Sequence, residues 1–437
     1  MSQESEASSK YLLRLRNAAQ VVMVCSNKER VLRGTEMQTV AVLDSDSSRG
    51  LSVAVDMEGV IAAIGFDDEI DVLLARSAVD REIDATGMSV VPGLVDAHTH
   101  PVWVGDRVHE FAMKLSGATY MDVHAMGGGI HFTVNQVHQA TFEQLYDSLA
   151  HRLTLMLQGG TTLVEAKSGY GLNLDNEAKM LRVIERAREE HSISVSTTYC
   201  GAHAVPKGGT AAEAAQNVID VQIPALRDLC SSGSLHIDNI DVFCEKGVFD
   251  TDTSRRILKA GKEAGWNINF HGDELNPMNS GELAADLGAC AVSHLERVSS
   301  AGIEAMAAAE VVGVLLPTTA YILRLNPPPA RKMMDAGMAI ALGSDFNPNA
   351  YCMSMPMVMH LACVHMHMTM PEALIASTLN AAASLGLSDR FGSIEIGKQA
   401  DMLLLNAPKW EHLIYQFGCQ RDVIKHVIKG GKVLHTN

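Results

Sequence analysis

The stretch VPGLVDAHTH, residues 91–100, is an apolar run that ends in His98 and His100. Side chains two apart on an extended strand face the same way, so both imidazoles point together beyond its carboxyl end. Two converging imidazoles suit a divalent transition metal. Alone the pair is a weak sign, because two unrelated histidines at a strand end give the same letters. Its weight comes from two later runs built alike: NINFHGDE (267–274) carries His271 at its end, and IALGSDFN (340–347) carries Asp345.

Working outward, short apolar runs alternate with longer segments of helical period between about residues 91 and 394, the pattern of βα units around a parallel sheet. Candidate strands are 90–95, 161–166, 196–200, 240–243, 268–271, 291–294, 312–316 and 339–342. Their number predicts an α/β chain with a (β/α)8 TIM-type barrel over 91–394. Helical connectors are legible at 176–190, where Ala178, Leu181, Ile184 and Ala187 share one stripe, and at 253–265. Such barrels keep their chemistry at the carboxyl mouth. His98, His100, His271 and Asp345 would meet there from the first, fifth and eighth strands, leaving a coordination position for water. The chain ends read differently. Strands at 20–25, 39–43, 52–55 and 60–64, with later runs at 401–406 and 422–434 around Gly430-Gly431, predict a small β-sandwich domain from residues 1–90 and 395–437.

Other features bound the function. The chain has 437 residues, 47% of them hydrophobic, and a formal net charge of −16. That acidic surplus excludes nucleic acid and an anionic membrane as main partners, since both need clustered Lys and Arg. The start MSQESEASSK has no basic and apolar leader, and no apolar run reaches the roughly 18 residues of a span. The eight cysteines are scattered without a CxxC pair. A reduced, cytoplasmic chain acting on a small molecule is predicted, and a homodimer is compatible with it. His365 and His367 repeat the His-x-His spacing within a helical stretch, where residues two apart diverge by about 200°, so they are not counted as ligands. The seven methionines between 353 and 370 read as core packing. Gly127 to Gly129 lack the Lys-Ser/Thr ending of a phosphate loop and read as a loop above the site. Lys167, Tyr170, His203 and His294 follow other strands; Lys167 also admits carboxylation as a bridge between two metals.

With these residues in hand, the chain resembles the amidohydrolase superfamily and, more narrowly, its imidazolonepropionase family of histidine degradation. The resemblance runs from about residue 13 to near the carboxyl end. It rests on PGLVDAHTH (92–100), GDRVHEFAMKLSGATYM (105–121), GGGIHFTV (127–134), EAKSGYGL (165–172), CGAH (200–203), NFHGDE (269–274), GSDFNP (343–348) and GSIEIGKQADMLLL (392–405). It implies hydrolysis of 4-imidazolone-5-propanoate to N-formimidoyl-L-glutamate with one zinc or iron ion. His98, His100, His271 and Asp345 match metal ligands, and Arg107, Tyr170, His203, Glu274 and Asn347 match substrate or product contacts. Lys167 matches a lysine that stays unmodified, which favours one metal. Asn349-Ala350 departs from the Gly and small hydroxyl expected there. His294, Glu274 and Asp345 are the candidates for proton transfer, and His203 or His294 for stabilising the oxyanion. A deaminase of a cyclic amidine or nucleobase is the nearest alternative, and a scaffold without catalysis is a further one. Arg107 argues against the former, because a neutral base offers it no carboxylate.

Overall fold

The computed structural model describes residues 10–117 and 128–437. Residues 118–121 of the GDRVHEF segment and Gly127 of the glycine run lie outside them. The centre is an eight-stranded parallel sheet whose strands follow one another in chain order. They are Leu94–Asp96, Thr161–Lys167, Ser194–Ala202, Asn239–Cys244, Asn267–Gly272, Ala291–His294, Val312–Leu315 and Ile340–Leu342. The sheet closes just past the ends of the first and last strands. There the Asp345 amide donates to the His98 carbonyl at 2.9 Å and the His100 amide to the Phe346 carbonyl at 2.8 Å, beside a parallel bridge between Thr99 and Phe346.

The expected first strand, 90–95, divides in two. Ser89–Pro92 belongs to a six-stranded sheet of the small domain, antiparallel to Met402–Leu405 and parallel to Gln20–Val24. Leu94–Asp96 belongs to the barrel. Gly93 lies at the crossing, where its amide donates to the Asp401 carbonyl at 2.9 Å while that of Leu94 donates to Gly160 at 3.0 Å. Neighbouring residues of one apolar run thus serve two sheets. A Cβ at Gly93 would lie 2.2 Å from Thr162 Oγ1, so no larger residue fits unless the barrel wall moves.

Both chain ends build the small domain. Met402–Leu405, Ile424–Lys429 and Lys432–Thr436 extend the six-stranded sheet, the last two as a hairpin through Gly430 and Gly431. The second sheet contains Lys10–Ala18, Leu51–Asp56 and Ile61–Phe66, with short pieces at Ala78–Val79 and Glu82–Asp84. Leu13, Leu15, Val53 and Val55 of one sheet share a buried cluster with Val21, Val90, Met402 and Leu404 of the other, which makes the pair a sandwich. Lys10–Ala18 escaped the sequence reading because charged residues interrupt its alternation. Arg14 is nevertheless buried, bonded to Ser52 and Asp71.

The barrel helices follow their apolar stripes. Leu174–Glu190, capped by Asn173, buries Ala178, Leu181, Ile184 and Ala187, and Thr251–Glu263 is capped by Asp250. Met355–Met366 ends before His367, which takes a left-handed φ of 57°. Among the described residues, no helix is long and apolar enough to cross a membrane. Gly93→Val should lower the unfolding free energy by about 1–3 kcal/mol, the usual cost of overpacking, and so lower the urea midpoint. An unchanged midpoint would contradict the close approach at this crossing.

Candidate active site

His98, His100, His271 and Asp345 converge at the barrel mouth, each at least nine-tenths buried. Asp345 Oδ1 lies 3.5 Å from His98 Nε2 and 3.6 Å from His100 Nε2. His100 Nε2 lies 3.1 Å from His271 Nε2. Each ring is oriented from behind or by stacking. His98 Nδ1 meets Ser293 Oγ at 2.8 Å, His271 Nδ1 meets Asp241 at 2.9 Å, and His100 stacks on His203 with centroids 4.7 Å apart. With Nδ1–H given to Asp241, His271 presents a lone pair at Nε2. His98 Nε2 is buried with no hydrogen-bond partner. Buried nitrogens turned on one point in this way are unfavourable unless a cation lies between them. Atoms of His98, His100 and His271 lie within 4.8 Å of one another, as do atoms of His98, His294 and Asp345, so these groups could hold a metal ion.

A cavity of about 390 Å³ opens beside this cluster, and Arg107, Tyr170, His203, Glu274, His294 and Asn347 all line it with His100, His271 and Asp345. Of the residues singled out from the sequence, His98 and Lys167 do not line it. The lining residues differ in state. Arg107 donates from Nε and Nη2 to Glu110 at 2.8 and 2.6 Å, so one edge of the guanidinium is already held. His203 bonds the Gly169 carbonyl through Nδ1 at 3.1 Å. Burial, then the neighbouring His271, lowers its pKa to about 3. A neutral ring donating at Nδ1 leaves Nε2 as an acceptor. Of the two histidines considered for the oxyanion, His203 is therefore unsuited to donate to it.

Glu274 and His294 form a buried pair, with Oε2 and Nε2 3.7 Å apart. Burial raises the Glu274 pKa, helped by the carboxylates of Glu296, Asp345 and Glu245. On His294 burial opposes the charge, but Glu274 and Glu296 outweigh it and push the pKa up. Asn347 is mostly occupied with its own turn: Nδ2 donates to the Asp345 carbonyl at 2.8 Å, and Oδ1 accepts from the amides of Asn349 and Ala350 at 2.7 and 3.2 Å. Asn349 itself lines the cavity.

Lys167 does not reach the metal cluster. Its Nζ lies 2.8 Å from both Glu165 and Asp241, fully buried. Burial opposes the ammonium, yet the two carboxylates hold its pKa above the usual lysine range. Carboxylation requires a free amine, so this lysine is placed to stay a cation and to hold Asp241 rather than to bridge metals. Sequence reading missed Asp241, Ser293 and Thr319, whose hydroxyl donates to Asp345 Oδ2. Asp241 could have been noticed as an acid inside the apolar strand IDVFC; nothing marked the other two.

The sequence profile of the Amidohydrolase family matches residues 89–434. The chain is 61% identical to the "Probable imidazolonepropionase" of Nematostella vectensis, covering 97% of this chain and 98% of that one. It is 60% identical to the protein of that name from Mus musculus, over 98% and 99%, and 59% to that from Homo sapiens, over 97% and 98%. The fold is shared with an adenosine deaminase from Xanthomonas campestris with bound zinc, at a TM-score of 0.72 and 20% identity over 98% of this chain and 93% of that one. It is shared also with the guanine deaminase of E. coli, at a TM-score of 0.70 and 14% identity over 97% and 99%. The chain belongs to the amidohydrolase family and, within it, to the imidazolonepropionases.

If Asp241 orients His271 for an ion, Asp241→Asn should weaken zinc affinity about 10- to 100-fold, as loss of partners behind ligands commonly does. Competition against a zinc chelator measures this, and unchanged affinity would remove the role.

Proposed function

We propose that the protein hydrolyses 4-imidazolone-5-propanoate to N-formimidoyl-L-glutamate. The observation that carries this reading is a guanidinium, Arg107, in the wall of the cavity that also receives the His and Asp cluster. A substrate with a carboxylate at one end and a cyclic amide at the other spans those two features. His98, His100, His271 and Asp345 would hold one divalent ion, and three imidazoles with a carboxylate suit zinc and iron alike. Such an ion supplies Lewis acidity that polarises a carbonyl and brings the pKa of water toward neutrality.

The chain's own groups do the rest. Arg107 pairs the propanoate through the edge that Glu110 leaves free, with Tyr170 closing that wall. His203 accepts a ring N–H at Nε2. Glu274 and His294 share a proton at the cavity edge, so one can take a proton from water as the carbonyl is attacked and the other can return it to the departing ring nitrogen. Burial of these groups excludes bulk water and strengthens each interaction. All eight cysteines are unpaired in the structure, which fits the reducing cytosol as the compartment.

Deamination of a nucleobase uses similar barrels, but it leaves Arg107 without a partner. The test is to give zinc-loaded protein imidazolonepropanoate and follow the loss of its ultraviolet band. Turnover should vanish with chelator, and Arg107→Met should raise KM at least about tenfold with a smaller effect on kcat, the signature of lost ground-state binding. Absence of turnover, with release of ammonia from guanine or adenosine instead, would move the assignment to a deaminase.

A further inference from the structure

Glu296 lies two residues beyond His294, and its side chain is fully buried. Neither carboxylate oxygen has a hydrogen-bond partner among the described residues. A buried acid left in that state is costly and calls for a role that offsets the cost. Its Oε2 lies 3.8 Å from Nδ1 of His294, and that nitrogen is itself buried without a partner. On the opposite side of the same ring, Nε2 faces Glu274. The three side chains therefore stand in a line: Glu296, His294, Glu274.

The backbone is shaped to make this line. His294 and Leu295 both take left-handed φ values, 80° and 70°, which residues with a Cβ seldom adopt and which collect where function requires them. They turn the chain at the strand end, so that the acid two places on lies against the ring that precedes it. The turn is tied to the loop that carries Glu274, since Leu295 N–H donates to the Gly272 carbonyl at 3.1 Å and Arg297 N–H to that of Asp273 at 2.7 Å. The separation of 3.8 Å is beyond a hydrogen bond; catalytic contacts are often long in ligand-free structures and tighten when substrate binds.

We propose that Glu296 is the positioning residue for His294: by accepting its Nδ1–H it fixes the tautomer and the ring plane in which Nε2 faces Glu274 and the cavity. The inference rests on the hydrolase reading above. Within that reaction the proton that Glu274 and His294 share enters and leaves the ring only at Nε2 while Nδ1–H stays with Glu296, water supplying what the departing ring nitrogen receives, with no other reagent consumed. Glu296 touches neither substrate nor ion and acts only through the histidine.

The test uses zinc-loaded protein with Glu296→Gln, Glu296→Asp, His294→Gln and the double variant Glu296→Gln/His294→Gln. Glu296→Gln should lower kcat about 10- to 100-fold with KM and bound zinc little changed. In the His294→Gln background the same change should cost under about twofold, because the two residues act as a unit. Nitrogen NMR of histidine-labelled protein, with the His294 signals identified by their loss in His294→Gln, should show Glu296→Gln shifting the ring away from the Nδ1–H tautomer. Should Glu296→Gln not accumulate as folded protein, Glu296→Asp, which keeps the charge but withdraws it, carries the same expectations in reduced size. A loss that persists in full in the double variant, or His294 signals identical to those of the wild type, overturns the proposal. If the wild type fails to turn over imidazolonepropanoate while the NMR change is present, the substrate reading fails and the Glu296 to His294 contact stands.

Discussion

Everything at the site depends on the seam that closes the barrel. Two backbone hydrogen bonds, from Asp345 to His98 and from His100 to Phe346, join segments almost 250 residues apart. Three of the four residues making those bonds are metal-ligand candidates, so closing the sheet also brings these three donors together. Asp345 takes a φ of 48°, a left-handed conformation whose strain the surrounding seam must hold. Ser344 reinforces the seam, its amide and hydroxyl both donating to Asp96 beneath His98.

Below the site runs a chain of buried charge. Glu165, Lys167 and Asp241 sit in the barrel interior with His271 above them. Removing an ammonium and two carboxylates from water is expensive, and mutual attraction repays it only where each is well bonded. Asp241 meets that condition by receiving Lys167 on one side and His271 on the other. Thr198 donates to Glu165 at 2.6 Å on the far side. Such an arrangement makes a poor source of stability and a good source of fixed geometry: the imidazole of His271 is held in one tautomer and one direction.

The cavity above divides its labour by charge state. Burial keeps His203 neutral, whereas the carboxylates of Glu274 and Glu296 push the His294 pKa up. Environment alone separates the two histidines, since their free pKa values are the same. The Arg107 to Glu110 pair, with Glu110 also accepting from the Gly129 amide at 2.8 Å, ties the cavity-lining guanidinium to the start of the helix Ile130–Gln139.

By itself the sequence determined the barrel and most of the site's membership. Apolar runs separated by helical stripes are local patterns, and ligands at strand ends inherit their direction from the two-residue period, so His98, His100, His271 and Asp345 were legible in linear form. What the letters left open was decided by contacts between distant segments. The run 90–95 could not reveal that Gly93 divides it between two sheets, because that depends on Asp401 and Thr162 standing on either side. Lys10–Ala18 carries arginines that mask its alternation until Asp71 and Ser52 arrive to receive one of them. Whether Lys167 bridges metals or clamps Asp241, and whether His203 donates or accepts, are questions of which charges surround a buried group. Those surroundings exist only once the barrel has closed, which is why only the tertiary structure answers them.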